Sequence, residues 1–376
     1  MNLSRLRVIA GKEFRDHLTS RRFLLIAVLL LLVVSIGLIG GMLTYRMAID
    51  RYAGTMGTVG ESAADLGSTA GGSLLDVFNS VGEQILLLGA ILGIAMGFDL
   101  VTREKEGGSL KLLLSHPVYR DEVINGKGLG GIGAIAGLVF VTFAIILAVL
   151  LAFGVVPDGY ETFALGVLAL AAFLLVVSYF SVALLISTAS RTGGTALVAS
   201  LVVFIVLSSL LPVFVDPSVA GVVIGPPPEP PVPRALSPTE TADAPSIEGT
   251  EPSMVTGAGD GTEPTGIGIE ESLKYERELQ QYEERRLSLE GAISLFSPSL
   301  NFQQVMRKLT VPVVASVASS GTEDVSPGSD QPGPESTTAP VPNVLESILP
   351  NLVALLVIPA LFFGLAYARF MRIDIR

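Results

Sequence analysis

"REKEGGSLKLLLSHPVYRDEVINGKGLGG" (103–131) separates two long apolar runs. Arg103, Glu104, Lys105, Glu106 and Lys111 stand around a Gly-Gly pair, ahead of a leucine block and His116-Pro117. Ionised side chains are costly inside hydrocarbon, so a charged insert between apolar runs marks where a chain leaves a bilayer, turns and re-enters. Gly107 and Gly108 permit the sharp turn out of the preceding run. Pro117 stops one short helix and opens another, whose Val123 and Ile124 lead through Gly126-Lys127 into the next run.

Working outward from the insert, six segments approach the roughly 20 apolar residues a membrane-crossing helix needs. They are Phe23–Tyr45, Gln84–Val101, Leu129–Val155, Phe163–Thr188, Ala196–Val215 and Ile348–Tyr367. The first exceeds a signal-peptide core, lacks a small-residue cleavage site and follows a long charged segment, so it reads as a retained span. Composition agrees: half of the 376 residues are hydrophobic and the mean hydropathy is +0.62, above an ordinary soluble domain. The expected fold is an all-α integral membrane protein of six spans.

Lys and Arg set the orientation. Arg5, Arg7, Lys12, Arg15, Arg21 and Arg22 precede span 1, and Arg103, Lys105, Lys111, Arg120 and Lys127 lie between spans 2 and 3. Arg191 lies between spans 4 and 5, and Arg369, Arg372 and Arg376 in the tail. An even number of spans puts all four groups on one side, expected to be the cytoplasm, with both termini there and the plasma membrane as location. The outer loop after span 1 carries only Arg46 and Arg51.

Four regions follow: a cytoplasmic amphipathic helix (1–22), spans 1–5 with the charged insert at about 103–127 (23–215), a large outer loop (216–347), and span 6 with a short tail (348–376). The loop holds 18 of the 23 prolines and a net charge of −13, more negative than the −11 of the whole chain. Its two Pro-rich stretches lack core periodicity and read as disordered, partly polyproline-like linkers. An island at about 270–309 is helical. Tyr275, Leu279, Tyr282, Leu289 and Ile293 share one face, with Glu270 and Lys274 an i,i+4 pair. Ser297 then caps, and Pro298 starts, a second helix using Leu300, Val305, Met306 and Leu309, so that the island forms a small cap on the outer face.

Leu3, Leu6, Ile9 or Ala10, and Phe14 fall on one side of "LSRLRVIAGKEFRDHLTS" (3–20), as in a helix lying in the inner headgroup region through Lys12, Glu13, Phe14 and Arg15. In the insert, Leu110 and Leu112–Leu114 give a short helix an apolar side, while Arg103, Glu104, Lys105 and Glu106 stay wet or pair with another protein. Such an element, pinned between two spans, transmits a push from a partner into the membrane; the bland alternative is a solvated connector.

"KEFRDHLTSRRFLL" (12–25) followed by "DLVTREKEGGSLKLLLSHPVYRDEVINGK" (99–127) resembles the permease subunits of ABC-type-2 exporters. Thr102, Arg103, Glu104, Gly108, Ser109, Leu110, Leu112 to Ser115, Pro117, Arg120, Gly126 and Lys127 match the family's pattern, and "LFSPSLNFQQ" (295–304) is similar to its outer Ser-Pro element. The resemblance implies a subunit that binds no cofactor itself, pairs with itself or a second permease, and works with an ABC ATPase subunit carrying ATP and Mg. The loop between spans 2 and 3 would be the coupling helix, with Arg103, Glu104, Gly108, Leu110, Leu113, Pro117 and Arg120 at or behind the contact. Export is likewise implied by the resemblance. The Pro-rich stretches depart from the family's usual compact outer segment.

Other chemistry lacks its residues. Gly11-Lys12 and Gly126-Lys127 do not complete a phosphate-cradling G-x-x-x-x-G-K-(S/T) loop, and neither H-E-x-x-H nor G-x-S-x-G occurs. There is no cysteine, and His17 and His116 stand too far apart to found a metal site. Met42, Met47 and Met56 are too loosely spaced for soft-metal binding. The acidic balance speaks against nucleic acid. Glu83, Gln84 and Asp99 lie near span ends and read as interfacial groups rather than a proton relay, which disfavours a gradient-driven carrier. A second reading is a non-transporting scaffold or sensor whose outer loop binds a surface partner. Gly89, Gly93 and Gly97 form a small-residue face on span 2 that suits packing within the subunit or between copies.

Overall fold

Among the described residues, six helices are long and apolar enough to cross a membrane: Arg21–Met47, Val77–Glu106, Arg120–Ala152, Gly159–Ala189, Gly193–Val213 and Val344–Met371, here spans 1 to 6. They are the six apolar runs of the sequence with shifted ends: all six begin earlier, and spans 3 and 5 stop two or three residues sooner, at Ala152 and Val213. The computed structural model describes residues 3–56, 74–108, 119–214, 217–228, 269–294, 296–319 and 341–372, and among these it is all-α. The insert's leucine block, with Leu110, Leu113 and Pro117, lies outside the described residues, as do most of the two Pro-rich stretches.

Span 4 is the hub. It packs against spans 2, 3, 5 and 6, and 72% of its apolar window is buried, against 11% for span 5 at the periphery. Lipid gives helices no hydrophobic reason to associate, so close backbone approach must supply the attraction. Span 2 achieves it with its glycine face. A Cβ on Gly93 would lie 2.5 Å from the Val176 carbonyl oxygen, and one on Gly97 would lie 2.6 Å from that of Phe180. The small-residue face therefore packs inside the subunit.

Two irregularities lie against polar side chains. Pro359 in span 6 has no N–H for the Leu355 carbonyl one turn earlier; Ser178 Oγ of span 4, which donates to its own Leu174 carbonyl at 2.7 Å, stands 3.5 Å from that oxygen. Span 5 passes through a π-turn at Val206–Leu210, where the Leu207 carbonyl accepts from Ser297 Oγ at 2.7 Å.

The helix Pro298–Ser319 begins where the sequence places it, with Ser297 Oγ accepting from Leu300 N–H at 3.2 Å. Leu300, Val305, Met306 and Leu309 are all buried. It lies deeper than an outer cap, packed among spans 2, 4 and 6. Ser299 Oγ is 2.6 Å from the Tyr179 hydroxyl, well inside span 4, and Tyr160 near the start of that span donates to the Leu309 carbonyl at 2.7 Å.

The chain divides into two compact units, residues 1–212 with 294–376, and Val213–Ile293. The second holds a short helix, Pro217–Ile224, and most of the polar helix Ile269–Ser294. Tyr275, Leu279, Tyr282, Leu289 and Ile293 are all half-buried, as the spacing predicts, together with Ser272, Arg286 and Glu290. Lys274 pairs with Glu278 at 3.7 Å.

Candidate functional site

The charged motif that opens the insert is folded inward. Span 2 is α-helical to Gly97, turns through Phe98–Val101 and resumes as the five-residue helix Thr102–Glu106. The Ser187 hydroxyl of span 4 accepts from the Val101 and Thr102 N–H groups at 3.0 and 3.1 Å, so the broken ladder is satisfied from a neighbouring helix. Gly108 then adopts φ +68°, a left-handed conformation that side chains disfavour, and the chain turns away.

Each charge after Thr102 has its own place. Lys105 Nζ donates to the carbonyls of Thr188 at 2.6 Å and Ser190 at 3.2 Å, a cation at the negative end of span 4. Glu106 accepts from the Gly193 N–H at 3.0 Å, a carboxylate at the positive end of span 5. The turn between spans 4 and 5 is thus gripped on both sides. Glu104 turns the other way, to Lys127 at the head of span 3, with 2.7 Å between Oε1 and Nζ. Lys127 also meets Glu13 of the N-terminal helix at 3.0 Å and is only 3% exposed. Three of the four charges expected to be wet or paired with another protein are therefore bound within the chain. The sequence shows the charges, but their partners lie on other helices.

The N-terminal helix, Leu3–Thr19, rests on span 3. Gly126 and Gly130 face Ile9 and Glu13 so closely that a Cβ would lie 2.5 and 2.6 Å from them, and Gly133 faces the Phe14 ring. Of the four residues assigned to the membrane surface, Lys12 and Arg15 are exposed, Phe14 is at the border and Glu13 is buried. Arg22 pairs with Asp99 at 2.6 Å and lies over the Phe98 ring. Arg120 donates to the Met371 carbonyl at 3.4 Å, which brings the end of span 6 to this face. His17 lies in the same layer. Burial pulls its pKa below the usual value, against Glu13, Asp99 and Asp16, which raise it, and with Lys127, which lowers it further.

Of the residues assigned to coupling, Glu104 is held by the Lys127 pair, Arg103 is exposed beside it, Gly108 makes the exit turn and Arg120 starts span 3. All lie at one end of the bundle, with the N-terminal helix and the turn between spans 4 and 5. Charge spacing hinted at this layer but could not pair Glu13 with Lys127 across 114 positions.

A second polar layer was not read from the sequence. Asn351 of span 6 donates to Asn301 Oδ1 at 3.0 Å and also bonds Gln304, while Lys308 reaches Asn351 at 2.7 Å and the Ser347 carbonyl at 2.8 Å. It ties Pro298–Ser319 to span 6. Asn351 within an apolar run was the available signal, because an amide there needs partners from a neighbouring helix. Among the groups considered for a relay, Glu83 is exposed and Asp99 is neutralised by Arg22.

Comparison with curated proteins finds no match. The family model described as "ABC-2 family transporter protein" matches residues 7–375, from the N-terminal helix through all six spans to the tail. The chain, a multi-pass permease with its charged layer gathered at one end of the bundle, belongs to the ABC-2 family of transporter proteins.

Proposed function

We propose that this permease is the membrane half of an exporter, driven by ATP and Mg held on a separate ABC ATPase subunit that docks on the segment around Arg103–Arg120. Two permeases, identical or homologous, make the pathway, and both termini lie in the cytoplasm. The observation that carries the reading is the anchoring of the chain on either side of residues 109–118. Before them, Glu104, Lys105 and Glu106 reach span 3, span 4 and the start of span 5; after them, Lys127 reaches the N-terminal helix. Force applied between these flanks would reach four elements at once. Leu110, Leu113 and Pro117 would meet the partner, while Arg103, Glu104 and Gly108 stand behind them at the base.

Nucleotide binding must favour one arrangement of the spans over the other, and inverting a 1:99 population takes about 5.5 kcal/mol of differential interaction. The cytoplasmic side is supported by the excess of Lys and Arg at this face, and the export direction by the resemblance of residues 12–25 and 99–127 to exporters. The test replaces Leu110 and Leu113 with Asp and measures co-purification of the ATPase subunit. Expected is loss of the ATPase at unchanged yield of permease; undiminished capture would remove the segment from the contact.

A further inference from the structure

A cavity of about 240 Å³ lies beside the Glu13–Lys127–Glu104 pair, between the N-terminal helix, the start of span 1 and the last turns of span 2. Each of its four carboxylates has a cation within 4.0 Å, with one lysine shared between two of them. Lys127 takes Glu13 and Glu104, Arg22 takes Asp99, and Lys12 stands 3.9 Å from Asp16. Arg21 and Arg103 also line it, and among the described residues neither makes an ion pair or a side-chain hydrogen bond. His17 contributes Nε2, a buried atom without a hydrogen-bond partner. The lining therefore holds two guanidinium groups that make no ion pair among the described residues, which suit an anion.

A second feature shows what kind of anion. On the other side of the Arg22–Asp99 pair, a groove of about 720 Å³ runs between spans 1, 2 and 5, and it shares Arg22, Ala95, Asp99 and Arg103 with the cavity. Leu25, Ile26, Phe98 and Leu197 make it largely apolar. Arg21 and Arg22 stand where the apolar part of span 1 begins, the depth of lipid headgroups. A charged chamber at headgroup depth, opening beside an apolar furrow, matches an amphiphile and not a soluble anion.

We infer that the cavity binds the phosphate of an anionic phospholipid, held by Arg21 and Arg103, with an acyl chain along the furrow of Leu25, Ile26 and Leu197. Planar guanidinium donors fit phosphate oxygens. A zwitterionic headgroup would bring its own cation against them. The bound lipid would brace the N-terminal helix against spans 1 and 2 at the base of the charged layer, and this holds whether or not an ATPase docks there.

The test uses the full chain in detergent, with native mass spectrometry to count retained lipid after adding phosphatidylglycerol, phosphatidylcholine or inorganic phosphate. Expected is preferential retention of phosphatidylglycerol, reduced about tenfold in Arg21→Gln/Arg103→Gln, as the loss of two charge-assisted contacts implies. Arg7→Gln/Arg372→Gln removes the same charge from exposed positions outside the cavity and the groove and should bind as the parent does. Equal retention of the two lipids by the parent overturns the inference, as does an equal loss in both double variants, which would mean general surface attraction. Displacement of the lipid by inorganic phosphate at or below the lipid's own concentration would assign the chamber to a soluble phosphate and also overturn it.

Discussion

At Lys127 the chain places a cation, 3% exposed, between two carboxylates on different helices. Removing charge from water is expensive, and the attraction offsets that cost only while all partners are present. Lys127→Met leaves Glu13 and Glu104 facing each other and should cost about 3–5 kcal/mol, seen as a lower Tm in detergent. Glu13→Gln/Lys127→Met/Glu104→Gln should recover most of the loss, because no buried charge remains. His17 adds a pH dependence. Its folded pKa lies below the ordinary 6.5, so the unfolded chain binds the proton more readily. The contribution is absent above pH about 6.5 and becomes a destabilisation as pH falls through that value towards the folded pKa. The fall in Tm between pH 7.5 and 5.5 should therefore be smaller in His17→Gln than in the parent.

The elements meet through absences as much as through side chains. Gly93 approaches span 4 so closely that Gly93→Ala must push the helices apart, a strain of about 1–3 kcal/mol by analogy with overpacked cores. Gly137 of span 3 has nothing within 4 Å of a Cβ, so Gly137→Ala should be neutral or stabilising by about 0.5–1 kcal/mol. Thermal melts of the two variants in the same detergent compare them directly, and equal shifts would show that the packing of spans 2 and 4 is not the limiting contact. The glycine face was visible as a pattern at 89, 93 and 97, but its partner was not, since small-residue faces suit several neighbours. The helix after Ser297 shows the same division. Its cap, start and buried face follow from local rules, whereas its insertion among spans 2, 4 and 6 follows from Asn301, Gln304 and Asn351 finding one another.

On the scale of the whole molecule, sidedness is the property most open to direct measurement. The chain has no cysteine, so single cysteines report without background. Ser115→Cys, between spans 2 and 3, should stay unlabelled by an impermeant maleimide on intact cells. Ser288→Cys, exposed on the long polar helix, should be labelled. The reverse pattern would turn the charged layer outward, away from any cytoplasmic ATPase.

The number of spans, the helical class, the amphipathic start and the capped helix at Pro298 were legible in the sequence. Each rests on local quantities: hydropathy over about 20 residues, helical periodicity, and the residues that cap or break a helix. Tertiary structure alone decided where the charges go. Lys105 and Glu106 close on helix ends 82 and more residues away, and Glu104 and Glu13 share a lysine. An ionised group in a membrane protein is equally compatible with water and with any opposite charge at its depth, so its partner is chosen by how the helices pack.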